Sequence, residues 1–376
     1  MKKMRQLCAA LLIAGLIPAA FATDKTYGER AVGAVYTMSN AVSGNAILIF
    51  DRLANGGLRA AGSVATGGLG TGTGLGNQGA VVLSGDQRFL LVVNAGSDAI
   101  SAFKIKRHGL RLVGSMASGG KRPVSVTEDR GLVYVLNAGT SDTPGNISGF
   151  YLDEYGSLSA IPGSTRLLSS QTASTGPAQI QFSRDGRTLI VTEKATNLIL
   201  TYTIDRDGLP GDAKLNTSAG PTPFGFAVGQ RRQIFVSEAA GGAANASTLS
   251  SYRLNNREHL LQVISPAVPT EQSAACWVAL TPDGRLAFTT NTGSGTISAF
   301  AIAHNGELTL IDADAGNTGA GSAPIDLALS PGGRHVFVLN SGNETITSFR
   351  IGASGGLIPV VTIEDLPDGA NGIAVR

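Results

Sequence analysis

Trp277-Val278-Ala279-Leu280-Thr281-Pro282-Asp283-Gly284-Arg285, then Leu286 to Asn291, then Thr296-Ile297-Ser298-Ala299-Phe300 form one complete unit of a pattern that runs through the chain. The unit opens with an apolar segment, turns at Pro-Asp-Gly, and continues as a β-rich run ending in Asn. A Gly/Ser gap and a run closing on an aromatic follow. The Asn305-Gly306 pair and Glu307 to Ile311 finish it. Short runs rich in Val, Ile, Thr and aromatics between turn residues read as strands, and Asn-Gly suits a two-residue hairpin.

Outward from this copy, the second run ends at Asn40, Asn94, Asn137, Glu193, Glu238, Asn291 and Asn340. The aromatic of the third run falls at Phe50, Phe103, Phe150, Tyr202, Tyr252, Phe300 and Phe349. Both series give seven copies at a mean interval of about 50 residues, the size of a four-stranded propeller blade. The first copy begins at Ala31 without an innermost strand, whereas the chain closes on an unaccompanied one at Asn371-Gly372-Ile373-Ala374-Val375. The pattern therefore predicts an all-β, seven-bladed β-propeller whose C-terminal strand completes blade one and leaves no open sheet edge. No segment sustains a 3.6-residue period, so almost no helix is expected.

Composition agrees. Of 376 residues, 50 are glycine, about twice the ordinary share, yet no Gly-X-Y period occurs and collagen is excluded. A hydrophobic fraction of 43% excludes a disordered chain. Lys2, Lys3 and Arg5 precede an apolar run from Leu7 to Ala20, and Ala20-Phe21-Ala22 fits a cleavage site. Residues 1–22 are thus expected to be a signal peptide and 23–376 one propeller domain, exported to the periplasm or beyond the cell. Removing those three cations from the 29 basic residues puts the 27 acidic ones a single charge ahead. Such a surface offers nothing to nucleic acid, and no later segment is long enough to span a bilayer. Cys8 leaves with the leader, so Cys276 has no internal disulfide partner. A monomer is expected.

The chain resembles the seven-bladed lactonase family, which includes 6-phosphogluconolactonase-like proteins and carboxymuconate cyclases. The resemblance spans the mature chain. It is carried by the blade repeat, Thr192-Glu193-Lys194-Ala195-Thr196-Asn197, Pro221-Thr222-Pro223-Phe224-Gly225-Phe226 and Ala275-Cys276-Trp277-Val278. It implies hydrolysis of a sugar lactone, or lactonisation of an aromatic ring-cleavage product, by polar residues around one channel mouth. The Pro-His pair typical of the family is absent, its aligned positions being Gly79, Val124, Ala178, Phe224, Cys276, Ile325 and Asn371.

Candidate site residues follow from blade position. Glu193 and Glu238 replace Asn in neighbouring blades four and five. Two carboxylates brought together would supply an acid beside a base for opening a lactone with an activated water. Alternatively, each accepts hydrogen bonds from the loop that follows it, as Asn would, or pairs with Lys194 or an arginine. Arg122, in Gly120-Lys121-Arg122-Pro123, is placed to clamp an anion or stabilise an oxyanion, or else is simply solvated. Gln78, Gln179, Asp326 and Asn371 are expected on innermost strands, ringing the channel to hold water or a polyol. Cys276 reads as a nucleophile or a small buried hydrophobe, and Trp277 as packing or a sugar platform. His108, His259, His304 and His335 fall in or beside turns of the opposite face. No metal or other cofactor is expected. Gly74-Leu75-Gly76-Asn77-Gln78-Gly79 matches a dinucleotide fingerprint but precedes no helix, and reads as a flexible interblade loop. Asp312-Ala313-Asp314 hints at calcium without the closing glutamate. A non-catalytic propeller binding a small polar ligand or a protein partner is the alternative function.

Overall fold

The computed structural model describes residues 30–172 and 174–376, and the leader expected at 1–22 lies outside them. The described residues form seven antiparallel sheets arranged as the blades of a closed ring. Blade one takes its innermost strand, Asn371–Val375, from the far end of the chain, pairing Val35 with Val375 and Thr37 with Ile373. The other innermost strands are Val81–Leu83, Pro123–Asp129, Pro177–Phe182, Pro223–Val228, Ala275–Leu280 and Pro324–Leu329. Blade three departs from the simple repeat, its outer strand being split into Leu158–Ala160 and Arg166–Leu167. Among the described residues, helix is confined to two single turns, Gln230–Arg232 and Ala240–Gly242.

The repeated residues have repeated jobs. All seven third-strand aromatics, from Phe50 to Phe349, are at most 3% exposed and fill the space between blades. In the Thr281-Pro282-Asp283-Gly284 turn, the Thr281 hydroxyl donates to Asp283 Oδ1 at 2.6 Å, which also accepts Arg285 N at 3.1 Å. Gly284 then takes a φ of +69°, a conformation that costs a residue with Cβ extra energy. Four innermost strands begin with proline, tolerated there because the first residue of a strand need not donate to the ladder.

The residue before each innermost strand is left-handed at Arg122, Thr222, Ala274 and Ala323, with φ between 47° and 61°. Its carbonyl accepts the N–H that follows the second strand, as in Ala138 N to Arg122 O and Lys194 N to Gly176 O. This recurring corner builds the loop face of the ring and sets the two cations of the candidate site.

Candidate functional site

Innermost strands present N–H and C=O groups at a sheet edge along the central channel, and a buried edge needs partners. The side chains expected to ring the channel supply them. Gln179 spans to blade five, accepting Phe226 N at 2.6 Å and donating to Phe226 O at 2.9 Å. Gln78 does the same for Val278 of blade six, at 3.2 and 3.1 Å. Asp326 accepts Leu327 N at 2.8 Å and Ile373 N at 3.2 Å, joining blades seven and one. Burial pushes its carboxyl well above the usual carboxylate range, the two N–H donors opposing. Asn371 is 2% exposed, and its carbonyl accepts the Thr37 hydroxyl. Gln78, Gln179 and Asp326 line a cavity of about 430 Å³ with Thr127, Glu128 and Gln181.

The interblade segment 74–79 is not a free loop. It lies across the channel mouth: Asn77 Nδ2 donates to Val124 O of blade three, Gln78 N to Ala178 O of blade four, and Lys194 Nζ to Gly76 O.

Glu193 and Glu238 end their second strands fully buried. Glu193 accepts Ser169 N at 3.0 Å, the Ser169 hydroxyl, and the Thr196 hydroxyl at 2.7 Å. Glu238 accepts the hydroxyls of Thr248 and Ser218. Burial raises the Glu238 carboxyl, the Ser250 and Thr248 hydroxyls and the Gly220 N–H working against it. The Asn residues of other blades occupy the same niche with donors reversed: Asn94 Nδ2 gives to Ser101 Oγ at 2.8 Å, and Asn340 Nδ2 to Thr345 Oγ1 at 2.9 Å. The expected meeting of these carboxylates with Arg122 is not seen, since neither lines the cavity that Arg122 does. Their hydrogen-bonding capacity is taken up by Thr196 and Thr248 of their own blades and by Ser169 and Ser218 in the connectors arriving from the preceding blades.

Arg122 does face a cavity. About 350 Å³ in volume, it lies on the loop face between blades three and four. Its walls are Arg122, Lys194, Leu75, loop 138–145, and Gln171, Thr172, Ser174, Gly176 and Pro177 of the following connector. Asp98 fixes the arginine corner, accepting Arg122 N at 2.7 Å and pairing with Lys121 at 2.8 Å, which leaves the guanidinium exposed. Lys194 stands with Nζ 4.5 Å from the Phe224 ring centroid, over its π face. Burial brings its ammonium down to about 8; the Cys276 side opposes this and the Arg122 charge adds to it. Polar groups from Thr140, Ser141, Asp142, Thr143, Gln171 and Thr172 complete the walls. Two cations, one ionising near neutrality, in a hydroxyl-rich hollow suit an oxygen-rich ligand that carries or develops negative charge.

Cys276 and Trp277 lie behind this cavity, in neither wall. Burial pushes the Cys276 thiol up to about 12, despite the Thr292 hydroxyl and Lys194, so it is protonated and unreactive at neutral pH. Trp277 is 3% exposed and packs on Phe224 with ring centroids 5.0 Å apart, which makes it a packing residue in this arrangement. None of the four histidines lines either cavity, and no group of three His, Cys, Asp or Glu able to hold a metal gathers among the described residues. Among those residues, no helix is long and apolar enough to cross a membrane.

The family model for the lactonase, 7-bladed beta-propeller, matches residues 44–143 and 245–371, more than half the chain. The chain belongs to this family. Solved structures agree with the lactonase propeller architecture. The Pseudomonas aeruginosa periplasmic gluconolactonase superposes with a TM-score of 0.72 at 17% identity, over 91% of this chain and 98% of that one. A Bacteroides uniformis protein assigned as a 6-phosphogluconolactonase gives 0.72 and 17%, over 92% and 99%. A Lactobacillus plantarum protein gives 0.72 and 18%, over 92% and 99%. At such identities the likeness concerns the fold. None of the curated proteins matches the sequence.

Within the lactonase propeller, Lys194 is the site residue that motif reading passed over. Its signal lies in the blade alignment. The residue after the second strand is Ala41, Ala95, Ala138, Ala239, Thr292 or Ser341 in six blades, and lysine in blade four. A long cation in a column of small residues has no place between blades and must reach into the mouth.

Proposed function

We propose that this lactonase-family propeller hydrolyses a sugar-derived lactone in the loop-face cavity between blades three and four, and that its leader directs it out of the cytoplasm. The observation that carries the proposal is the joint placement of Arg122 and Lys194 in one cavity walled by hydroxyls and amides. No aromatic ring lines that cavity, which favours a polyhydroxylated substrate over an aromatic-derived one. The gluconolactonase likeness supports the same substrate class.

In this reading Lys194, as the neutral amine, takes a proton from water as the water attacks the lactone carbonyl. Arg122 holds the charge that develops on the carbonyl oxygen, or a fixed anion on the substrate. The carbon–oxygen bond of the ring then breaks, and the ammonium returns its proton to the ring oxygen, giving the open hydroxy acid. A base ionising near 8 suits near-neutral operation, because about a tenth is already unprotonated at pH 7 and the amine keeps most of its basicity.

Purified mature protein tested against sugar and aromatic lactones in a pH-stat, with spontaneous hydrolysis subtracted, checks the proposal. Turnover of sugar lactones is expected, with kcat falling about 100-fold or more in Lys194→Met and KM rising in Arg122→Ala. No turnover across the panel, or turnover untouched by both substitutions, overturns it.

A further inference from the structure

We propose that Gln78 is the positioning residue for Lys194: seated in the notch left by Gly225, it bolts segment 74–79 across the channel mouth and so presents the Gly76 carbonyl to the lysine amine. This rests on the reading of Lys194 as the base.

A side chain missing from blade five makes room for Gln78. Blade four links its innermost strand to the next through Gln179, which satisfies both edge groups of Phe226. The corresponding residue of blade five is Gly225, which has nothing to offer Val278 in blade six. Gln78, 200 residues away from Val278 in sequence, fills the gap and makes the same two-way bridge to Val278 N and O. The fit depends on the glycine. A Cβ at position 225 would lie 2.2 Å from Gln78 Oε1 and 2.5 Å from the Cys276 carbonyl oxygen. The glycine of blade five and the glutamine of the segment thus form one joint.

The consequence reaches the cavity. Segment 74–79 has three glycines, and without anchors its backbone would sample many conformations at little cost. Anchored by Asn77 on blade three and by Gln78 on blades four and six, it is held on three sides of the mouth. Gly76 O is then fixed where Lys194 Nζ, lying over the Phe224 ring, donates to it. Leu75, 5% exposed, is held by the same segment and forms part of the cavity wall. The charged and titratable groups around the amine are Arg122 and Asp142 in the cavity walls and the Cys276 thiol behind. The Glu193 carboxylate is engaged with Ser169 and Thr196 instead. A lysine pinned between a carbonyl and an aromatic face gives up most of its rotamer freedom before substrate arrives, the kind of preorganisation that raises kcat.

The test reads the amine itself. Full-length protein is reductively methylated with ¹³C-formaldehyde, and the Lys194 resonance, assigned by its loss in Lys194→Met, is titrated by NMR. In the wild type its midpoint is expected near 8. In Gln78→Ala, the released side chain should titrate at least one pH unit higher, toward the ordinary lysine value. Gln78→Glu keeps the acceptor for Val278 N and loses the donor to Val278 O, so it should fall between. If Gln78→Ala does not fold, Gln78→Glu alone decides. A folded variant, judged by circular dichroism and melting, whose Lys194 titrates as in the wild type overturns the proposal. Because the titration needs no substrate, a shifted midpoint in a protein that hydrolyses no lactone would sustain this joint while removing the lactonase reading.

Discussion

Lys194 and Asp326 show how burial assigns opposite fates to two ionisable side chains of one ring. The lysine is half-buried in the cavity wall, and burial brings its amine down to about 8. Catalysis through the neutral form should rise with pH through about 8 and level off above it. The pH profile of kcat measures this, and Lys194→Met should erase the rise; a profile unchanged in that variant would count against the amine. Asp326 instead joins two blades as a carboxyl whose folded-state value is raised above the ordinary 3.8. The folded protein therefore holds that proton longer than the unfolded chain, and stability present below 3.8 is lost as pH rises through the folded value. Melting temperature should fall with pH across that window, and Asp326→Asn should flatten the fall. Glu238 adds a slope of the same sign. For Glu193 and Glu238, replacement by Gln preserves a hydrogen-bonding group in the niche that Asn fills elsewhere, so kcat should stay within about threefold. Truncation to Ala strands several buried donors and should cost about 1–3 kcal/mol each on chemical denaturation.

At the scale of the blade, legibility follows repetition. Second-strand termini and third-strand aromatics were readable because seven copies repeat the same packing problem with the same solution. The split outer strand of blade three was not, since nothing repeats it. Segment 74–79 was read as a flexible loop for the same reason: its glycines announce freedom, whereas its anchors, Val124, Ala178 and Val278, lie 47 to 200 residues away. The two glutamates looked chemical in sequence because a carboxylate standing where others have an amide suggests reactivity. In the fold the substitution only reverses hydrogen-bond direction, hydroxyls donating to Glu193 where Asn340 donates to hydroxyls. Lys194 was visible in principle, but only by reading down the blade alignment rather than along the chain. The same niche makes an element-scale prediction. Asn94 accepts from Thr66 and Asn45 of blade one and donates to Ser101 of its own blade. Asn94→Ala should therefore destabilise by about 2–3 kcal/mol, and Asn94→Glu should recover part of that loss if the niche accepts either chemistry. Denaturant midpoints of the two variants check this.

For the whole molecule, the decisive joint is the pairing of Asn371–Val375 with Ala31–Met38, extended by Ala34 N to Arg376 O at 3.1 Å and Arg52 Nε to the same oxygen at 2.9 Å. Ending the chain at residue 368 leaves blade one with three strands and an exposed inner edge. The expected loss is a large share of the roughly 5–15 kcal/mol typical of a folded domain, seen by calorimetry as a lowered or vanished transition. An unchanged transition would mean the ring does not depend on its clasp. This joint also sets a timetable. Three strands of blade one are made before the other six blades, and its inner strand only after them, about 15–60 s later at ordinary rates of synthesis. Until then its edge is open to any passing strand, and no partial chain has a closed ring to fall into. The chain is thus most exposed before that strand docks, and maturation waits on residues 371–375.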